Sequence, residues 1–164
     1  MKWIFITFFV ASILHFVEEY FYPGGFMHFV GRLNPGFAPH LTVSSALSIN
    51  GLQLLLCVIV IWVGASNLEF SMSLAALLFL NGMMHIVGCL RIRGYAPGVV
   101  TGTMLYLPLS AYAYYTAIHS HQLNLRGAVA SVALGLVYQA VPIVWFVLAS
   151  MHRRSSMQDR RMSG

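Results

Sequence analysis

Leu54-Leu55-Leu56-Cys57-Val58-Ile59-Val60-Ile61-Trp62-Val63 is an unbroken apolar run, and it completes a stretch, residues 41–63, without a single charged side chain. A helix rises about 1.5 Å per residue, so roughly 20 such residues cross the hydrocarbon of a bilayer. Stretches of similar length and character lie at residues 3–22, 70–90, 99–118 and 128–151. Composition agrees, since 59% of the 164 residues are hydrophobic, 8% are charged and the mean hydropathy is +0.76. Soluble domains carry roughly 25% charged residues. The expected fold is all-α: a polytopic membrane helix bundle of about five transmembrane helices. Residues 1–151 read as a single transmembrane helical domain and 152–164 as a polar, basic tail expected to be disordered.

Gly and Pro punctuate the chain between these stretches. Pro23-Gly24-Gly25 ends the first, and Asn34-Pro35-Gly36 and Pro39 break the connector that follows. Phe26-Met27-His28-Phe29-Val30, within that connector, is apolar but too short to span and reads as an interfacial or re-entrant turn. Gly94-Tyr95-Ala96-Pro97-Gly98 is a tight link between the third and fourth stretches, and Pro108 is expected to kink the fourth. Lys2 with its apolar run has the look of a signal peptide, yet no small-x-small cleavage site follows, so it reads as a retained helix. Cys57 and Cys89 both sit in apolar segments and read as small buried residues rather than a disulfide or metal pair.

The net charge of +5 does not point to nucleic acid, because four basic residues (Arg153, Arg154, Arg160, Arg161) crowd the tail, where anionic lipid is the natural partner. With five spans, Lys2 and Arg126 lie on one side, and Arg32, Arg91, Arg93 and the tail arginines on the other. The positive-inside rule then places the chain in the cell membrane as a multi-pass protein with a cytoplasmic C-terminus.

The chemistry starts at His15-Phe16-Val17-Glu18-Glu19, inside the first span, where two of the chain's four acidic residues stand side by side. An ionisable group at mid-membrane costs about 2.5–3.5 kcal/mol, so such groups are functional by default. His15, Glu18 and Glu19 relate as i, i+3 and i+4 on a helix and share one face, which Ser12 extends. Asn81 and His85 form a second i, i+4 pair in the third span. With alternating span directions, these groups fall at one depth together with Asn50, Thr101 and Thr103, and Tyr95, Arg91 and Arg93 lie just beyond. The other half of the bundle reads as apolar, with Tyr112, Tyr114 and Tyr115 as an interfacial aromatic belt.

Each residue also has a plainer reading. Glu18 and Glu19 suit a headgroup-level cap, His15, Asn50 and Asn81 suit interhelical hydrogen bonding, and Arg91 and Arg93 suit cytoplasmic anchoring. Together they suit two chemistries. In the first, His15, Glu18, Glu19 and His85 hold a divalent ion such as Zn, Fe or Mn and serve as the catalytic set, with Asn81 and Asn50 orienting them and Thr101 and Tyr95 at the rim. In the second, no metal is involved; one buried carboxyl keeps its proton as general acid and an imidazole acts as base.

His15-x-x-Glu18-Glu19, with Phe21-Tyr22-Pro23 after it, Asn81-x-x-x-His85 in a later span, and Tyr95-x-Pro97-Gly98 followed by Thr101, resembles the HXXEE-domain family of small bacterial membrane proteins. That family has no assigned reaction, so the resemblance implies a polar intramembrane site and no more. A looser similarity, carried by Glu18-Glu19-x-Phe21 before Pro23, is to small bacterial carotenoid cyclases. Those, like five-span sterol isomerases, set Glu and His on membrane helices and protonate an alkene. The preferred expectation is an intramembrane enzyme acting on a lipidic or isoprenoid substrate. The alternatives are a metal- or proton-handling transporter or binding protein, and a structural subunit. A second copy or another membrane protein is a possible partner in each case. Five spans without inverted repeats speak against alternating access.

Overall fold

A computed structural model describes residues 2–21, 25–36 and 42–162, with side chains up to residue 144. Tyr22, Pro23, Pro39 and His40 lie outside these residues, and with them part of the first connector. All regular structure among the described residues is helical. Helix α1 spans Lys2–Phe21, α2 Gly25–Leu33, α3 Val43–Val63 and α4 Leu68–Ile92. Then come α5 (Val99–Thr101), a π turn (Gly102–Tyr106) and α6 (Leu107–His119), which follow one another without a break as a single rod, and finally α7 (Leu125–Met162). The chain is an all-α bundle, as expected. Lys2–Phe21, Val43–Ile92 and Leu125–Val144 are each long and apolar enough to cross a membrane. Large apolar side chains such as Trp62, Leu90, Met104 and Val129 stand on the outside, a surface suited to lipid rather than water.

The 50-residue stretch Val43–Ile92 is not one rod. Gly64, at φ +52°, takes a backbone conformation open to glycine, and a 3-10 turn over Gly64–Asn67 follows. Asn67 then caps α4, its side chain accepting the N–H of Phe70 at 3.1 Å. Asn50 of α3 and His85 of α4 both reach Glu19 of α1, so α3 and α4 lie side by side as a hairpin. At its start α3 carries a capping box, with Thr42 and Ser45 each accepting the other's backbone N–H.

Pro108 does disturb the fourth rod, but through a change of pitch. The N–H of Leu107 bonds to the carbonyl of Gly102, five residues back, which forms the π turn immediately before a residue that has no N–H to give. Here the backbones of α4 and the fourth rod nearly touch, for a Cβ on Gly82 would stand 3.0 Å from the Gly102 carbonyl oxygen.

α7 docks on α4 through Gly127 and Gly135, with Ser131 midway between them on the same face. A Cβ on Gly135 would lie 2.6 Å from the Cβ of Ala76 and 3.0 Å from the Ser73 carbonyl oxygen. Apolar burial does not pull helices together in lipid, so close approach at small residues supplies the contact. The same face carries a polar contact in the half expected to be apolar. Tyr114 is not part of a surface belt; it turns inward, its hydroxyl 2.7 Å from Ser131 Oγ and 3.2 Å from the Met72 carbonyl oxygen. Tyr112 and Tyr115 do stand exposed. The helical backbone of α7 also runs past Pro142 and on through Met162, into the basic segment expected to be disordered. No Gly or Pro interrupts residues 143–162, and Arg, Met and Gln are good helix formers.

Gly135→Leu is expected to wedge α7 off α4 and cost about 1–3 kcal/mol or more, read as a lower thermal midpoint in detergent. Gly51→Ala, at a helical glycine with nothing within 4 Å of a new Cβ, is expected to be neutral or stabilising. Equal midpoints for the two variants would refute the small-residue contact.

Candidate functional site

Residues 18 and 19 are neighbours on α1, but about 100° of helical turn separates their side chains. Their carboxylates therefore meet different elements. Glu18 turns to the start of the fourth rod. Its Oε1 accepts the N–H of Val100 at 3.0 Å and the hydroxyl of Tyr95, and its Oε2 accepts the N–H of Thr101 at 2.7 Å and the Thr101 hydroxyl at 2.5 Å. The first N–H groups of a helix have no partner within it, and a carboxylate is the strongest cap for them. Glu18 thus supplies from α1 the cap that the fourth rod does not carry itself, since its own N-cap position is Gly98.

Glu19 turns into the bundle and is 4% exposed. Its Oε1 stands 3.3 Å from His85 Nε2 and 3.5 Å from His15 Nε2. Its Oε2 accepts from Asn50 Nδ2 at 3.1 Å, which fixes the carboxylate's rotation. His15, Glu19 and His85 are all buried, and one ligand atom from each lies within 4.8 Å of the other two. His15 Nδ1 is 2.8 Å from Thr101 Oγ1, which links the cluster to the Glu18 cap. His15 Nε2 and His85 Nδ1 are buried without a hydrogen-bond partner among the described residues.

Backbone and aromatic rings enclose the cluster. Gly98, at φ +91°, comes so close to both imidazoles that a Cβ there would stand 2.7 Å from Cε1 of each. The Tyr106 ring lies 4.5 Å from the His15 ring, centre to centre, and the His15 and His85 rings meet edge to face at 4.9 Å. Phe29 of α2 stacks over His85 at 6.2 Å and fits beside Gly88, where a Cβ would be 2.5 Å from its ring. The short connector helix is thus a cover over the polar end. Arg32 ties it down by donating to the Ile92 carbonyl at 3.5 Å.

The expected residues divide accordingly. His15, Glu19 and His85 converge, Asn50 holds Glu19, and Thr101 and Tyr95 sit at the rim. Glu18, expected among the metal ligands and catalytic groups, stands outside the cluster because its lone pairs are taken by the start of the fourth rod. Asn81 is on the His85 face of α4, but among the described residues it makes no hydrogen bond to the cluster, and its Oδ1 is buried without a partner. Thr103 faces outward. His28, His119 and His121 are exposed, and none of them joins the cluster.

The sequence places Gly98 only in the link between spans and its motif, and it assigns no role to Tyr106 or Gln53. Gln53 Nε2 donates to the Tyr106 hydroxyl at 3.0 Å and to Ser12 Oγ at 3.2 Å, and Ser12 Oγ lies 3.6 Å from Cys57 Sγ. Ser12, Gln53 and Cys57 fall at helical spacing on facing helices, which is a usable signal. Tyr106 gave none, because a tyrosine in an apolar span reads as core.

A Gly98→Ala change is expected to destabilise more than Gly64→Ala. Both meet positive-φ strain of about 1–3 kcal/mol, Gly98 in the left-handed region and Gly64 (ψ −130°) outside it, but only position 98 also overlaps two imidazoles. Thermal unfolding of the two variants compares them, and a smaller loss for Gly98→Ala would contradict the packing described.

No curated protein and no solved structure matches this chain. A family model described as "Protein of unknown function with HXXEE motif" matches residues 6–113, a span that holds His15, Glu18, Glu19, Asn50, His85, Tyr95 and Thr101. By that match over most of its length, the chain belongs to the HXXEE-motif family.

Proposed function

We propose that this chain is a multi-pass enzyme of the cell membrane, its C-terminus cytoplasmic, that acts on a lipidic or isoprenoid substrate with a divalent metal held by His15, Glu19 and His85. The observation that carries the reading is the spacing of Glu19 Oε1 from two buried imidazole nitrogens. Two ligands each about 2.0–2.1 Å from a tetrahedral ion are about 3.4 Å apart, and Glu19 Oε1 stands 3.3 and 3.5 Å from the two imidazole nitrogens. A buried carboxylate also needs compensating positive charge, which a metal cation held between these atoms would supply.

Two imidazoles and one carboxylate suit zinc, iron or manganese and leave positions open. An ion held there supplies Lewis acidity to a substrate oxygen or lowers the pKa of a bound water. The chain's own contributions are definite. Asn50 holds Glu19 to one oxygen, Thr101 orients His15, and Gly98, Tyr106 and Phe29 keep bulk water from the rings. Location supports the lipidic substrate class, because the cluster sits among helices whose outer faces are apolar.

Elemental analysis of detergent-purified protein tests the metal. Wild type is expected to carry a stoichiometric ion that His85→Ala and Glu19→Gln lose while remaining folded. A metal-free wild type under non-chelating conditions would overturn this and leave acid–base chemistry. Comparison of membrane lipids from cells making wild type or Glu19→Gln tests the reaction. One lipid depleted and another gained with wild type alone is the expected result. Unchanged lipids with a loaded metal site would favour a transporter or metal-binding role.

A further inference from the structure

We infer that Thr101 and Glu18 are positioning residues that set the tautomer of His15, keeping its proton on Nδ1 and its Nε2 free to bind. The consequence for metal binding rests on the function proposed above; the tautomer itself does not.

The argument is a count of protons. The Thr101 hydroxyl has one proton and two close neighbours, Glu18 Oε2 at 2.5 Å and His15 Nδ1 at 2.8 Å. A third, the Gly98 carbonyl oxygen, is distant at 3.4 Å. Glu18 already accepts the N–H groups of Val100 and Thr101 and the hydroxyl of Tyr95. Backbone N–H groups only donate, so both carboxylate oxygens are engaged as acceptors. The Thr101 proton then goes to Glu18. Its oxygen is left to accept, and His15 Nδ1 must be the donor.

A neutral imidazole protonated on Nδ1 presents a lone pair at Nε2. That atom is buried, lacks a hydrogen-bond partner among the described residues, and lies 3.5 Å from Glu19 Oε1. An imidazole lone pair and a carboxylate oxygen at that separation repel, so a bare Nε2 calls for a cation between them, whereas a second proton on Nε2 would make this an imidazolium–carboxylate pair. The lock is stiff because Glu18 is held by the backbone of the fourth rod, whose N–H groups cannot turn away. Gly98 lies over the same ring, so the imidazole has little room to flip. A plainer role, in which Thr101 merely helps Glu18 to cap the helix, leaves the tautomer of His15 unconstrained.

Nitrogen-15 NMR of histidine-labelled, chelator-treated protein in micelles reads the tautomer directly, with the His15→Asn variant identifying the signal. Wild-type His15 is expected to show a protonated Nδ1 and a bare Nε2. Thr101→Val is expected to shift the proton toward Nε2, and Thr101→Ser to restore it. A wild-type proton on Nε2, or an unchanged tautomer in Thr101→Val, would overturn the inference. The wild-type spectrum decides even if Thr101→Val does not fold. Zinc titration is expected to show affinity reduced about 10- to 100-fold in Thr101→Val and recovered in Thr101→Ser. Zinc binding with the opposite tautomer would sink the lock alone. The expected tautomer in a wild type that binds no zinc would sink the metal reading alone.

Discussion

A carboxylate inside a bundle bathed in hydrocarbon must find donors or a cation, and α1 brings two of them on consecutive residues. Their demands are met differently because the helix points them in different directions. Glu18 takes the free N–H groups at the start of the fourth rod and the hydroxyls of Thr101 and Tyr95. Glu19 takes Asn50 from α3 and faces His85 from α4 and His15 from its own helix. A single turn of α1 thereby binds three other elements at one level, and the polar half of the bundle is organised around it. Leaving either carboxylate without its partners would cost several kcal/mol, more than most single packing contacts provide.

The rest of the bundle is held by a different force. Where water does not drive apolar surfaces together, helices gain by close approach, and this chain places glycine and serine where backbones cross. Gly82 meets Gly102, and Gly127, Ser131 and Gly135 carry α7 against α4. All of α7 lies beyond the family match over residues 6–113, and among the described residues it contributes nothing to the His15–Glu19–His85 cluster. The cluster is built entirely by α1, α3, α4 and the start of the fourth rod. α7 buttresses the face of α4 that the cluster does not use.

Much of this was readable in the chain itself. Apolar stretches of bilayer length predict the helices, and Pro and Gly mark their ends. Helical spacing puts His15 and Glu19 on one face, and alternating direction brings His85 and Asn50 to their level. Spacing of i, i+3 and i+4 describes a face about 100° wide, too coarse to say whether Glu18 or Glu19 points inward. Tyr114 was misread as belt because residue type does not reveal the rotation of a helix about its axis. The packing of Gly98 and Tyr106 on the imidazoles is not legible, since close approach of backbone to ring leaves no pattern in a single sequence.

By itself, then, the sequence determined that the chain is helical, that its outer surface is apolar, and that the ionisable groups within its spans gather in one half. These follow from periodicity and transfer free energy, which are properties of residues in order. Only the tertiary structure decided that one glutamate caps a helix while its neighbour joins two imidazoles, and that a threonine hydroxyl connects the two. Those roles depend on helix rotation and on side-chain placement to within about an ångström or two, and they are set by which donors the neighbouring helices happen to present.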